Sequence, residues 1–334
     1  MRLDKCEYVK KRLCIKANTV QYLLRKIVQI FSMHNLKTNF DKIYKIVKSS
    51  LSDKLNSDDN LQFYPRQPKM NDCSIITFSI CAESLGIDSE NYLWSKLKKD
   101  YSMDFPDLID RSNFNKRRRR LHLFMDEVTK KLSAQLNEGE DVFIIDSIPV
   151  PVCKIAREKR CKFGRDSFES APDKGFSAVT KSYYYGYKLH LVTSVKGIFY
   201  SMDLTKASVH DVHYLKEVAD TKMKNATLIG DKGYIAKQIQ IDLFHQCNVR
   251  LETPCRNNQQ EQKPWHPVFR KSRKRIETLF SQLCDQMMLK RNYAKSVSGL
   301  KTRLISKIAA ATLLQWINYQ HQKPINHLKH ALAA

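Results

Sequence analysis

The stretch that decides the fold is Asp141-Val142-Phe143-Ile144-Ile145-Asp146-Ser147-Ile148-Pro149. Val142 to Ile145 form an unbroken apolar run, the pattern of a central strand covered on both faces. Asp146 follows at once, and a carboxylate at the mouth of such a strand is costly unless it has a partner. Pro149 and Pro151 carry no N–H for a ladder, so they predict the end of the strand. A second run of the same kind, Ala226-Thr227-Leu228-Ile229-Gly230-Asp231, also closes on an acid.

Working outward, the segments 187–195 and 197–205 alternate around Lys196-Gly197 and predict a β-hairpin. Residues 211–220 read as a short helix with His210 and Asp211 at its start, where both follow a strand and can sit near a cleft, His210 as a structural or capping neighbour. Residues 233–246 read as helical, 248–253 as a last strand and 254–267 as a loop. Two helices, 268–290 and 296–320, finish the unit, the second with Leu300, Leu304, Ile308 and Trp316 along it. The order is strand, hairpin, helix, strand, helix, strand, helix, helix. It predicts an α/β domain over 140–322 with a five-stranded mixed sheet flanked by helices, and a tail over 323–334.

Residues 1–135 read as helical. Val20, Leu24, Ile27 and Phe31 share one helical face. Asn71 or Asp72 can cap a helix that Gly86 ends, and Ser89 can cap the next. Ser112 or Asn113 starts a third with Phe114, Leu121, Phe124, Val128 and Leu132 inward. Its opposite face carries Lys116, Arg117, Arg118, Arg119 and Arg120. Short helices ending in a basic run suit a DNA-binding region of helix-turn-helix kind, although an Arg run also describes a solvated face. A second basic stretch, with Lys154, Arg157, Lys159, Arg160, Lys162 and Arg165, follows the first strand, and the polar break 137–141 marks a boundary.

The chain has 334 residues, enough for two domains, and 58 Lys plus Arg against 34 Asp plus Glu, a formal charge of +24. Such an excess points to nucleic acid, double-stranded DNA foremost. The first residues hold no apolar signal core and no run approaches a spanning helix, so no membrane role is expected and the site of action reads as cytoplasmic or nucleoid-associated. Nine cysteines are present, with four pairs at one spacing: Cys6/Cys14, Cys73/Cys81, Cys153/Cys161 and Cys247/Cys255. None is the close spacing of a zinc site. Metal binding by Cys247, Cys255, His245 and His266 is one reading, and free thiols in a reducing compartment the favoured one.

Acids stand out in so basic a chain. Asp146, Asp231 and Glu277, the last among Arg270, Lys271, Arg273, Lys274 and Arg275, are candidates for holding metal ions against nucleic-acid phosphates. Glu277 lies about 100° round the helix from Ile276, at the edge of the stripe Ile276, Phe280, Leu283 and Met287. Arg273, one turn earlier, can position a phosphate or pair with Glu277. Taken singly, Asp231 reads as a turn residue and Glu277 as a surface residue; the order of all three favours a site.

That order resembles the ribonuclease-H-like fold of DDE transposases and integrases. The stretches 74–94, 105–121 and 230–234 are similar to bacterial insertion-sequence transposases, most closely the insertion sequence 982 family. The resemblance implies Asp146, Asp231 and Glu277 as the catalytic triad, holding two Mg²⁺ ions, with Mn²⁺ as substitute. Arg273 is a candidate for contact with a DNA phosphate, Lys232 and Tyr234 for contact with DNA backbone by their position beside Asp231, and the basic runs including Arg157, Lys159 and Arg160 for DNA contact by their charge. The resemblance also implies a homodimer on DNA. A neighbouring family's signature places Arg where Arg273 stands, but expects Tyr at Arg270 and Lys at Cys284, so only part of it is present. The expected activity is end binding, end cleavage and strand transfer. A nuclease of the same fold that never joins, or a non-catalytic DNA-binding remnant, are the alternatives.

Overall fold

The fold is that of a computed structural model, which describes residues 36–165, 169–219, 221, 223–256, 264–291 and 293–332. The helical face expected at Val20–Phe31 and the pair Cys6/Cys14 lie outside the described residues.

Five helices precede the sheet: α1 (Leu36–Ser50), α2 (Asp72–Ser84), α3 (Glu90–Asp100), α4 (Arg111–Arg120) and α5 (His122–Leu136). Asn71 caps α2, its side chain accepting from the Ser74 N–H at 2.8 Å, and Gly86 ends it at φ +68°. α2 is buried from Asp72 to Glu83 save Ser74. A helix apolar all round belongs in the middle of a core. Ser89 caps α3 as expected. The single helix expected from 112 or 113 to 132 is two, α4 and α5, meeting at Leu121, whose buried side chain joins Phe114 and Val128 in the same core.

The sheet holds β1 (Val142–Cys153), β2 (Asp173–Ser177), β3 (Ser182–Ser194), β4 (Phe199–Lys206), β5 (Ala226–Ile229) and β6 (Val249–Glu252). β1 pairs antiparallel with β3 and parallel with β5, which pairs parallel with β6. β2 and β4 share the other edge of β3, β2 against 182–186 and β4 against 187–193. The core order β4-β3-β1-β5-β6 with three antiparallel and then parallel strands is the ribonuclease-H-like arrangement expected. β2 is a sixth strand, one more than the five expected. α6 (Tyr214–Ala219), α7 (Lys237–Cys247), α8 (Pro267–Asp285) and α9 (Val297–Gln320) complete the order.

β1 does not end at the prolines. Asp141 C=O accepts from Thr227 on the β5 side and Val142 C=O from Val195 on the β3 side. Odd-numbered residues of β1 therefore turn their amides toward β5. β5 pairs only as far as Ile144, so Pro149 and Pro151 face an edge where no ladder N–H is needed, while the other edge stays paired to β3.

Both faces of the sheet are covered. Ile144 and Ile148 join the large cluster that includes Phe78, Trp94, Leu132, Ile276 and Leu304. Phe143 and Ile145 join a smaller one with Leu215, Leu228, Leu243 and Val249, under α6 and α7. α9 is buried from Leu300 to Asn318 save Lys301 and Trp316, and packs against α2 and α5. The N-terminal helices thus share their core with the sheet domain. Within that core Lys307 Nζ meets Glu83 Oε2 at 2.5 Å, and Arg118 meets both Glu83 and Glu90.

Candidate active site

The parallel pair β1·β5 builds the site. Ile144 is in register with Ile229, and each strand carries an Asp two residues further on. Asp146 and Asp231 therefore leave neighbouring strands at one level, at their C-terminal ends. Gly230 permits the close approach there. A Cβ on it would lie 3.2 Å from Ile145 and 3.3 Å from Tyr234.

Asp231 caps the tight turn Lys232–Tyr234, its Oδ1 accepting from the Gly233 N–H at 2.7 Å. The turn swings Tyr234 inward. Its ring is fully buried and its hydroxyl has no partner among the described residues. Burial first, then the charges of Asp211, Asp146 and Asp231, hold that phenol well above its ordinary range. The expectation that Tyr234 touches DNA is corrected: it sits beneath the carboxylates. Lys232, by contrast, is exposed.

Asp146 is 18% exposed at its side chain. Oδ1 accepts from the Ser147 N–H at 2.8 Å and Oδ2 from Arg273 Nη2 at 3.4 Å. Burial pushes its carboxyl up to about 6. Arg273 and the Ser147 N–H pull against that rise, and the Asp231 charge adds to it.

α8 lays Ile276, Leu279, Phe280 and Leu283 on the core and passes β1. This brings Arg273 to Asp146, so Arg273 spends its charge across the cleft and not on Glu277. Glu277 is exposed, one turn further along, without an ion pair among the described residues. Among the described residues no three His, Cys, Asp or Glu side chains stand close enough to hold one ion, so Glu277 remains apart from the two aspartates. The same holds for Cys247, Cys255, His245 and His266. Cys247 and Cys255 form no disulfide among the described residues.

Two further groups that the strand patterns alone did not reveal, Lys188 and His190, stand near Asp211 here. Lys188 on β3 pairs with Asp211 at 2.7 Å. Asp211 Oδ2 lies 3.4 Å from where a Cβ of Gly233 would be. His190 is fully buried opposite Ser147, bonded through Nε2 to Thr205 Oγ1 at 2.8 Å and held neutral, its pKa lowered to about 4 by burial. The signal was present: Lys188 and His190 interrupt an apolar strand on one face, at i and i+2. His210 is exposed.

The cations expected on one solvent face of α4 divide. Lys116 and Arg120 are exposed. Arg117 instead donates to the Met70 carbonyl and to Asp72 Oδ1 at 2.5 Å, across the Tyr64 ring. Arg118 is 5% exposed, between Glu83 and Glu90. Both are corrected to interior partners, and Arg119 is half-buried. Arg157, Lys159 and Arg160 lie exposed on the 3-10 turn Ile155–Arg160, which Arg165 pins through the carbonyls of Glu158 and Lys159.

The donor set suits a hard divalent cation. The two aspartates offer oxygen alone, the nearby imidazole of His190 is engaged with Thr205, and a buried carboxylate as basic as Asp146 is one that a cation would relieve. Residues 137–313, more than half of the chain, match the family model of the transposase DDE domain. No curated protein matches the chain, and no solved structure does.

Proposed function

The chain belongs to the DDE transposase family, and from that premise we propose that it binds the ends of its own insertion element, cuts the DNA there and joins the 3′ hydroxyls to target DNA. The observation that carries this reading is the pair Asp146 and Asp231 at the mouth of two adjoining parallel strands, with Arg273 reaching across to Asp146. Family members act on DNA, generally with divalent metals such as Mg²⁺. Asp146 and Asp231 would hold Mg²⁺, or Mn²⁺ in its place, and Glu277 would complete the set from α8. The ions supply activation of the attacking oxygen and stabilisation of the leaving one.

The chain's own residues do the rest. β1 and β5 hold the aspartates in place, since β1 is buried on both faces and Ala226, Leu228 and Ile229 of β5 are buried. Arg273 keeps Asp146 turned into the cleft and has further N–H groups for a scissile phosphate. Tyr234 and His190 wall the floor with uncharged groups. Lys232, Arg157, Lys159 and Arg160 would hold the duplex by its phosphates, and we assign the relationship to the insertion sequence 982 family and a homodimer on DNA as part of the same reading.

The test is a set of single variants, Asp146→Ala, Asp231→Ala and Glu277→Ala, assayed for Mg²⁺-dependent cleavage of element ends and, separately, for end binding. Each is expected to lose cleavage and keep binding nearly intact. Near wild-type cutting by any one removes that residue from the triad. A wild-type protein that cuts but never joins a pre-cut end is a nuclease and not a transposase.

A further inference from the structure

A cavity of about 660 Å³ opens between the start of α3, the face of α4 and the start of α9. None of its lining residues belongs to the carboxylate cleft. Five cations face it, Arg111, Arg118, Arg119, Lys295 and Arg303, against one carboxylate, Glu90. Glu90 is already engaged. It accepts from Arg118 and Arg303 at 3.1 Å each and from Asn115 at 2.7 and 2.9 Å. Glu90 also meets Arg111 at 3.8 Å, and Glu83 meets Arg118 from behind at 3.4 Å, so two carboxylates stand against five cations and positive charge is in excess.

Two of these arginines are set into the wall, each with its Nε closed to solvent. Arg118 is 5% exposed, and its Nε is buried with no acceptor among the described residues. The Nε of Arg119 is in the same state. An Nε closed to solvent cannot itself meet a molecule in the cavity, so recognition falls to the accessible N–H groups of Arg111, Arg119 and Lys295. Two helices begin at the rim, α3 behind its cap Ser89 and α9 behind its cap Ser296, and each turns its positive end toward the space. Tyr293, exposed, adds one flat apolar wall.

We propose that this cavity binds a phosphate group and that the space beside Tyr293 takes the attached nucleoside. The volume lies in the range of small-ligand sites. A backbone phosphate of DNA and a free nucleotide share this chemistry, and the experiment separates them. The inference goes beyond the cleft reading, because the phosphate measurement reads the cavity whether or not the carboxylates cut DNA.

The experiment uses the full chain. Melting temperatures are compared in sodium phosphate and in sodium chloride at matched ionic strength, then with deoxyadenosine monophosphate and with deoxyadenosine. The series is repeated on the double variant Arg119→Gln/Lys295→Gln, chosen because neither side chain holds an ion pair among the described residues, whereas Arg118 and Arg303 do. Lys99→Gln serves as a control on an exposed cation outside the cavity. Phosphate is expected to raise the melting temperature of wild type and of the control but not of the double variant. The nucleotide should exceed phosphate, and the nucleoside alone should do nothing. If the salt slope of duplex binding also falls in the double variant, by about 0.9 for each phosphate no longer neutralised, the phosphate is that of DNA. If the slope is unchanged, the ligand is a free nucleotide. Absence of protection by phosphate and nucleotide in wild type overturns the proposal, even with a changed slope, since cations on a plain surface would change the slope equally.

Discussion

Asp146 holds an unusual balance for a single side chain. Its burial disfavours the charged form more than Arg273 and the Ser147 N–H favour it, and its carboxyl is pushed from 3.8 to about 6. Below about pH 4 both folded and unfolded chains carry the proton. Between about 4 and 6 the unfolded chain releases it while the folded chain keeps it, so stability falls as pH rises, and it levels off above 6. Asp146→Asn removes that fall. In chelator at pH 7 the variant should exceed wild type by up to about 3 kcal/mol, less whatever Arg273 loses with its anionic partner. At pH 4 the two should melt nearly together. Added Mg²⁺ should then stabilise wild type and not the variant. Melting curves at both pH values decide it, and a variant that melts well below wild type at pH 7 would make Asp146 a structural acceptor. The origin of the raised pKa also refines what the three acids alone suggest. Their order in the sequence points to mutual repulsion as the cause, yet burial is the larger one, and only Asp231 contributes charge of like sign.

Among the elements, the two basic runs differ in kind. α4 carries Arg117 and Arg118 into the interior, because Asp72, Glu83 and Glu90 wait there from 45, 35 and 28 residues away. A local pattern cannot register such partners, so the run reads as one solvent face. Around the turn Ile155–Arg160 no carboxylate among the described residues pairs with Arg157, Lys159 or Arg160, and they remain exposed. Replacing these three by Gln should lower the slope of log affinity against log salt for duplex DNA by up to about 2.7, at about 0.9 per phosphate. Arg117→Gln and Arg118→Gln should lower melting temperature instead. An unchanged slope in the triple variant would move the DNA path off this turn. Distance along the chain likewise separates the legible elements from the rest. Buried strands, the hairpin and the helix caps were legible because each rests on neighbours in sequence: Val142–Ile145, Lys196-Gly197, Asn71, Ser89. The passage of β1 beyond Pro149 was not, since it depends on which edge β5 leaves open. β2 was missed because five residues with Asp, Lys and Gly among them carry no strand pattern, and only the far edge of β3 makes them one. Of the cleft, Asp146 and Asp231 could be read from the ends of their strands, while the Lys188–Asp211 pair needed the register of β3.

For the whole molecule, the joint between the N-terminal helices and the sheet matters most. α9 inserts between them, and its Lys307 is 1% exposed, held by Glu83 of α2 and by the Met287 carbonyl at 2.6 Å. Charge so deep is tolerated only because every partner is in place. Removing one partner strands the other. Lys307→Met would leave Glu83 with Arg118 alone, at 3.4 Å, and breaking a buried pair in this way costs about 3–5 kcal/mol. The continuity of the core dictates how that loss spreads. Phe78 and Trp94 of the helices and Ile144 and Leu189 of the sheet lie in one apolar cluster, so the helices have no core of their own apart from the one they share with the sheet. Amide exchange is therefore expected to show α2 and β1 opening with the same free energy in wild type. Both should fall together in Lys307→Met. If α2 alone lost protection while β1 kept its own, the helices would be an independently folding unit, and the boundary at 137–141 would be a true domain border and not a turn within one cooperative body.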